Sequence, residues 1–122
     1  MKFILIADDS AAIRDALREL LEGEADWRVC GEAENGREAI QQAEQLHPDL
    51  IVLDLSMPVM NGLEAGRQLK ILLPTVPLVM WTTFNVPAVE LEARAAGFDA
   101  VQSKSEGVPV LIDRIQKLLR AA

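Results

Sequence analysis

The sequence has little cysteine, little positive charge and no long apolar segment, and each shortage excludes a class of protein. Cys30 is the only cysteine among 122 residues, so a disulfide framework and a thiolate-rich metal site are both excluded. No apolar run approaches the ~18 residues that a membrane-spanning helix needs. A secretory signal is not expected, because the strand-like segment after Met1 and Lys2 lacks a small-residue cleavage site. These absences predict a protein of a reducing compartment, the cytoplasm.

Positive charge is scarce enough to bear on the choice of partner. The 12 lysine and arginine residues are outnumbered by 19 aspartate and glutamate residues, for a formal net charge of −7. A chain this acidic is not expected to bind nucleic acid or an anionic membrane surface directly. Trp27 and Trp81 are therefore expected to pack in the core or at its edge, since a base-stacking platform would need a basic groove around it.

Apolar residues make up half of the sequence, and their spacing alternates between two patterns. Residues 1–122 are long enough for one compact domain that buries roughly two-thirds of the surface of its unfolded chain. Short continuous or strand-like apolar runs predict strands at 3–7, 27–33, 50–53, 78–81 and 98–103. Helical spacing predicts helices from 12 to a stop at Gly23, and at 36–46, 63–72, 87–96 and 109–120.

Five strands that alternate with five helices predict an α/β fold with a parallel sheet covered on both faces. Right-handed crossovers leave few topologies for such a chain. The simplest is the flavodoxin-like, doubly wound (βα)5 arrangement with strand order 2-1-3-4-5. Ligands of such sheets bind outside the carboxyl ends of the strands, beside the point where the strand order reverses.

Polar side chains follow the predicted strands at that edge of the sheet. Asp8 and Asp9 follow the first strand, Asp54 the third, Thr82 the fourth and Lys104 the fifth. A helix N-cap would explain one carboxylate, but it would not explain an adjacent pair together with a third on another strand. Three clustered carboxylates repel one another unless a cation lies among them. Oxygen ligands in this small number favour Mg²⁺ that keeps several of its waters.

The motifs at the strand ends resemble those of the response-regulator receiver domain of two-component signalling. The matching segments are Ile6-Ala7-Asp8-Asp9-Ser10, Leu53-Asp54-Leu55-Ser56-Met57-Pro58-Val59-Met60-Asn61-Gly62, Met80-Trp81-Thr82 and Lys104. Each motif alone is weak, but together, in order and at alternating positions, they are specific. Residues 29–33, 35–36 and 104–105 are most similar to the branch whose full-length members carry a LuxR-type helix-turn-helix. We expect a receiver domain over residues 1–122 and no output domain within them.

The resemblance implies a phosphorylation site that contains a metal ion. Asp54 would accept a phosphoryl group from a phosphohistidine on a sensor histidine kinase. Asp9 and Asp54 would ligate Mg²⁺ directly, together with the backbone carbonyl of Ser56, and Asp8 would act mainly through a bound water. The role of such a domain is that of a switch that assists its own phosphorylation and dephosphorylation, and it is not that of a metabolic enzyme.

Two further residues complete the implied site, and the implied partners follow from it. Thr82 would hydrogen-bond one phosphoryl oxygen, and Lys104 would pair with another. Phosphoryl transfer of this kind needs in-line positioning and neutralised charge more than covalent chemistry from the protein. The partners would be the kinase and an output domain or effector protein, reached through the surface of the fourth helix, fifth strand and fifth helix. A phosphorylation-dependent dimer is also compatible with the resemblance.

The sequence departs from the family pattern at three positions around this site. Ser105 follows Lys104 where the family usually has a proline in a cis peptide, so a trans bond is expected. Val101 stands where many receivers have an aromatic residue that rotates inward on activation, which argues against that switch here. Thr83 adds a hydroxyl group where a small alanine is common. None of the three replaces a residue that carries the chemistry.

Two other residues bear on how long an aspartyl phosphate would last. In the family, the side chains of Ser56 and Phe84 would flank the approach of the hydrolytic water to Asp54. Phe84 has no group that could orient a water. We therefore expect its ring to slow the loss of phosphate, although the side chain could instead belong to a partner-binding surface.

Two other function classes stay open at this point. An aspartyl-phosphate phosphatase of the haloacid dehalogenase type also uses an aspartate at a strand end. That family has a second aspartate two positions after the nucleophile, where this chain has Ser56. A degenerate receiver that acts only as a binding module would be favoured by loss of Asp9, Asp54 or Lys104, and all three are present.

The remaining candidates have simpler interpretations. His47 precedes Pro48 and is expected to be a solvated turn residue and not a phosphohistidine donor. Cys30 on the second strand is expected to be a small buried apolar residue. The glutamates between positions 32 and 44, Glu32 among them, are expected to form a solvated acidic face.

Overall fold

A computed structural model describes residues 1–83 and 86–121 of the chain. The strands are β1 Lys2–Ala7, β2 Trp27–Ala33, β3 Leu50–Leu53, β4 Leu78–Thr82 and β5 Ala100–Ser103. The helices are α1 Ala11–Leu21, α2 Gly36–Leu46, α3 Gly62–Leu72, α4 Pro87–Ala96 and α5 Val108–Ala121, with a 3₁₀ turn at Lys104–Glu106. None of the helices within these residues is long and apolar enough to span a membrane.

The five strands form one parallel sheet in the order β2-β1-β3-β4-β5. This is the predicted flavodoxin-like order. β1 and β3, at the centre, are almost entirely apolar because helices cover both of their faces. The carboxyl ends of β1 and β3 are in register, with Ala7 opposite Leu53. The residues that follow them, Asp8 and Asp54, therefore leave the sheet side by side.

The core consists of two layers, one on each face of the sheet. The α2–α4 face, packed by α2, α3 and α4, contains Leu5, Ile51, Met80, Val101 and several alanines. The α1/α5 face, packed by α1 and α5, contains Ile4, Ile6, Trp27, Trp81 and Ile115. Residues of one strand alternate between the two layers, as the period of two in a strand requires.

Helix caps set where the chain enters α1, α2 and α3. The side chains of Ser10, Asn35 and Asn61 each accept a hydrogen bond from a backbone N–H in the first turn of the following helix. These are residue types that cap helices well because their short side chains reach the free N–H groups. Gly97, with φ of 106°, ends α4 in the left-handed region, where glycine is not strained.

Two predicted boundaries differ from the observed ones by two residues, and each has a local cause. α1 ends at Leu21 and not at Gly23, because the backbone N–H of Glu22 already closes the last turn on Arg18. β5 begins at Ala100 and not at residue 98, because the turn at Gly97 is still closing there. The 3₁₀ turn after β5 was not predicted. Its capping box joins Ser103 and Glu106, a Ser-x-x-Glu spacing visible in the sequence.

Candidate functional site

Three carboxylates converge at the carboxyl edge of the sheet. Asp8 and Asp54 are 4% and 7% exposed, whereas Asp9 is exposed. One ligand oxygen from each lies within 4.8 Å of the others. The backbone holds the buried pair in place, since the N–H of Asp8 donates to the carbonyl of Ala33 and that of Asp54 to the carbonyl of Ala7. The arrangement has the spacing and the oxygen donors that a small divalent cation requires.

Lys104 lies against the buried carboxylates. Its Nζ is 2.7 Å from Oδ2 of Asp8 and 3.3 Å from Oδ2 of Asp54. The lysine side chain is itself only 13% exposed, so water screens these contacts weakly. One cation therefore links the ends of β1 and β3 to the turn that follows β5.

The charges of this cluster are set by competing effects. Burial raises the pKa of Asp54 and the charge of Asp8 adds to this, whereas the ammonium of Lys104 opposes it; the net direction is upward. Burial lowers the pKa of Lys104, but its hydrogen bond to Asp8 and the charge of Asp54 outweigh burial, so the pKa of Lys104 is raised. Lys104 is accordingly charged at neutral pH. The charged form of Asp54 is less stable in the folded protein than in water, because the carboxylate is buried.

Thr82 completes the wall of the site from β4. It is the last residue of the strand and is fully buried. Its side chain is hydrogen-bonded to Asp54, which stabilises the carboxylate form and opposes, without reversing, the upward shift that burial causes in the pKa of Asp54. Four of the residues singled out in the sequence therefore meet at one point of the fold: Asp8, Asp54, Thr82 and Lys104.

The loop from β3 to α3 lies on the open side of this cluster. Ser56 is exposed in the loop, and its side chain lines a surface cavity together with Asp9, Asn61 and Glu92. The loop is held at its ends by the N–H of Gly62, which donates to the carbonyl of Leu55 at 2.9 Å. Asp9 and Ser56 thus border the same opening, beside the buried carboxylates.

Sequence reasoning missed Arg14. Its Nη1 donates to the backbone carbonyl of Asp8 at 2.7 Å, and its Nε pairs with Oε1 of Glu32 at 3.1 Å. Arg18 holds the other oxygen of Glu32 at 2.7 Å. Glu32 is therefore a partly buried bridge between two arginines of α1, and its assignment to a solvated face was wrong. The only signal in the sequence was an arginine at the start of α1 on the face toward β2.

The departures from the family pattern take simple forms. The peptide between Lys104 and Ser105 is trans, as expected, and no peptide bond among the described residues is cis. Val101 is buried in the core of the α2–α4 face, and Thr83 is exposed. Phe84, whose ring is expected to slow the loss of phosphate, lies outside the described residues.

Of the predictions for the remaining residues, those for His47 and the two tryptophans are confirmed, and that for Cys30 is corrected. His47 is exposed and adopts the left-handed conformation that ends α2, which confirms the turn prediction. Trp27 and Trp81 are buried, as predicted. Cys30 is only partly buried, because it is the extra residue of a bulge between the partners of Ile4 and Leu5. Burial still raises the pKa of the Cys30 thiol.

Known proteins resemble the chain in both sequence and structure. The transcriptional regulatory protein YdfI of Bacillus subtilis is 35% identical over 120 residues, which are 98% of this chain and 56% of that protein. A protein-glutamate methylesterase/protein-glutamine glutaminase of Methanosarcina acetivorans is 40% identical over 104 residues, 84% of this chain and 30% of that protein. The chain therefore spans between about a third and a little over half of these curated relatives.

A solved structure agrees with this. That of a two-component response regulator of the LuxR family from Aurantimonas sp. superposes with a TM-score of 0.95 at 27% identity, covering 99% of this chain and 86% of that one. Residues 4–116 match the family described as the response regulator receiver domain, and that span contains all of the site residues described above. With its sheet order, its acidic edge and this match, the chain belongs to the receiver domains of two-component response regulators, which act as signalling switches.

Proposed function

We propose that Asp54 is the phosphoacceptor of this receiver and that a sensor histidine kinase is the donor. The observation that carries the proposal is the convergence of Asp54 with Asp8, Lys104 and Thr82 at one edge of the sheet. A carboxylate oxygen of Asp54 forms a bond to phosphorus, and the bond from phosphorus to the kinase histidine breaks, leaving its electron pair on the imidazole. Little covalent help from other residues is needed, since the reaction depends on position and charge.

Mg²⁺ is the cofactor that the donor set fits. Asp9 and Asp54, with the backbone carbonyl of Ser56, would hold the ion, and Asp8 would act mainly through a bound water. All of these donors are oxygens, and the three carboxylates lie within reach of one ion. When bound, Mg²⁺ supplies positive charge that offsets the charge of the phosphoryl oxygens.

Lys104 and Thr82 would bind oxygens of the phosphoryl group. The ammonium of Lys104 lies next to Asp54 and has a raised pKa, so it is charged when a phosphoryl oxygen arrives. The Thr82 side chain, hydrogen-bonded to Asp54 in this structure, would donate to a second oxygen. Both groups would bind the phosphorylated state more tightly than the free one, which is the differential affinity that a switch needs.

The output of the switch is a change in affinity for an effector or output domain. The similar response regulator of the LuxR family and the transcriptional regulatory protein YdfI favour a DNA-binding output, which this chain would control without contacting DNA itself. The net charge of −7 agrees with that division of labour. A role as a metabolic phosphatase is disfavoured by Ser56, which stands where the haloacid dehalogenase family has its second aspartate.

Acetyl phosphate with Mg²⁺ tests the proposal directly. Intact-mass measurement should show the addition of one phosphoryl group, and chelation of the metal should prevent it. Asp54→Asn should abolish labelling, whereas Asp15→Asn, a matched change at an exposed position of α1, should not affect it. Labelling that persists in Asp54→Asn, or that proceeds equally without a divalent cation, would contradict the proposal.

A further inference from the structure

Lys104 has a third contact besides the two carboxylates. Its Nζ lies over the ring of Trp81, 5.4 Å from the ring centre. That distance is within the range in which the negative face of an indole attracts a cation. Three groups, two carboxylates and one aromatic face, therefore contact one ammonium.

The sheet fixes the ring at this position. Trp81 immediately precedes Thr82 on β4 and pairs in register with Gln102, two residues before Lys104. Only 7% of Trp81 is exposed, and it packs in the core of the α1/α5 face. The ring lies on β4, and the lysine is the first residue after the adjacent strand β5, so the pairing of these two strands sets the distance between them.

Packing alone does not account for a tryptophan here. Among the described residues, the indole Nε1 of Trp81 has no hydrogen-bond partner. Gln102, its neighbour across the strands, is fully buried, and neither polar atom of its amide has a partner. A buried donor without an acceptor costs stability, and an aliphatic residue would avoid that cost. The face of the ring, which contacts Lys104, is the part that an aliphatic residue could not replace.

We infer that Trp81 is a positioning residue for phosphoryl acceptance: its ring holds the ammonium of Lys104 beside Asp8 and Asp54. The inference rests on the proposed function, because it assigns the ring a part in that reaction. Without the ring, Lys104 could still form its ion pairs with Asp8 and Asp54, but the ammonium would leave them for solvent more often. Fewer molecules would then have the lysine in place when the phosphoryl group arrives, and transfer would be slower.

The test compares Trp81→Phe and Trp81→Leu with the wild type. Phenylalanine keeps an aromatic face of weaker attraction, and leucine has none. The initial rate of labelling by acetyl phosphate with Mg²⁺ should fall in the order Trp, Phe, Leu, by about 3- to 30-fold from first to last. Equal rates in all three proteins would overturn the inference, as would equal losses in Phe and Leu.

A control and a second readout separate positioning from stability. Trp27→Leu removes the other buried tryptophan of the α1/α5 face, at the far end of β2, and should destabilise the fold without changing the labelling rate of the folded protein. Independently, the CεH₂ protons of Lys104 should show an upfield ring-current shift in NMR spectra that disappears in Trp81→Leu and is retained in part in Trp81→Phe.

The two readouts distinguish the two proposals. If the wild type is not labelled at all, the proposed function fails, and the ring-current shift alone decides whether Trp81 holds Lys104. A Lys104 shift that is the same with and without an aromatic residue at position 81 would overturn the positioning role even in a protein that is labelled. Should Trp81→Leu not fold, the comparison of wild type with Trp81→Phe still tests both readouts.

Discussion

The two faces of the sheet are built from side chains of different size, and they serve the site in different ways. On the α2–α4 face, alanines and glycines let the helices approach closely. Any Cβ added to Gly36 would meet the carbonyl oxygen of Met60 at 2.6 Å, and one on Gly66 would meet the ring of Phe98. On the α1/α5 face, large side chains such as Trp27, Trp81 and Ile115 fill the space instead.

The difference shows which parts of the site are positioned by close packing of the backbone and which are positioned by long side chains. Close approach on the α2–α4 face fixes the backbone around Asp54, because α3 begins directly against that residue. The α1/α5 face acts through long side chains, with Arg14 on the carbonyl of Asp8 and Trp81 beneath Lys104. Changes on the first face should therefore act mainly on stability, and some changes on the second should act on the chemistry.

The largest effect is expected from Gly62→Ala, which would break the close packing of the α2–α4 face. The new Cβ would collide with the backbone carbonyl of Asp54, an atom that cannot move aside without the strand. We expect a loss of about 3 kcal/mol in the free energy of unfolding, measured by urea denaturation. Gly23→Ala is the control, because its Cβ would meet the carbonyl oxygens of Leu20 at 3.2 Å and Glu19 at 3.8 Å without a collision, and it should have little effect. Equal effects of the two substitutions would contradict this account.

Arg14→Met should have the next largest effect, on the α1/α5 side. It removes the hydrogen bond to the carbonyl of Asp8 and one of the two arginines that hold Glu32, while it keeps most of the apolar stem. We expect the free energy of unfolding to fall by about 2 kcal/mol in the same urea experiment, since hydrogen bonds from charged groups contribute more than neutral ones. Arg67→Met, at an exposed ion pair of α3, is the matched control and should change stability by less than about 0.5 kcal/mol.

Ile115→Val gives a smaller change in the core of the α1/α5 face. Removing one methylene from this fully buried side chain of α5 should cost about 1 kcal/mol in the same denaturation experiment. The labelling rate of Asp54 should stay at the wild-type value, because Ile115 is an aliphatic core residue that cannot hydrogen-bond to the carboxylates or to Lys104. A slower rate at unchanged fold would show that the whole face, and not Trp81 in particular, governs the reaction.

The smallest expected change in stability comes from Asp54→Asn, at the carboxyl edge of the sheet, and it is an increase. Because the pKa of Asp54 is raised in the folded state, its protonation favours folding; this contribution is complete below the unfolded pKa and is lost as the pH rises through the folded pKa. Asp54→Asn should therefore unfold at a higher urea concentration than the wild type at neutral pH without divalent cations, and the advantage should shrink in acid. Asp15→Asn should show no such pH-dependent gain, and an Asp54→Asn protein that is less stable at neutral pH would refute the sign.

Much of the fold follows from local patterns in the sequence. The continuous apolar runs of β1 and β3 indicate strands covered on both faces, and the alternation with helices leaves few possible strand orders. The bounds of β2, α2 and β3 agree with prediction, and the clearest local marks are the capping residue Asn35 before α2 and Pro48 between α2 and β3. The start of β5 was predicted too early, because Phe98 is apolar for packing in the core of the α2–α4 face and not as part of the sheet.

The sequence by itself determined the order of the elements and which residue types stand at the strand ends, since both depend on periodicity and on the rule that parallel strands end at one edge. Only the tertiary structure decided that Lys104 pairs more closely with Asp8 than with Asp54, that Arg14 and Arg18 share Glu32, and that Trp81 lies beneath the lysine. The reason is physical. Periodicity gives the face of an element on which a side chain lies, but the partners of a long charged side chain depend on distances between elements that are remote in sequence.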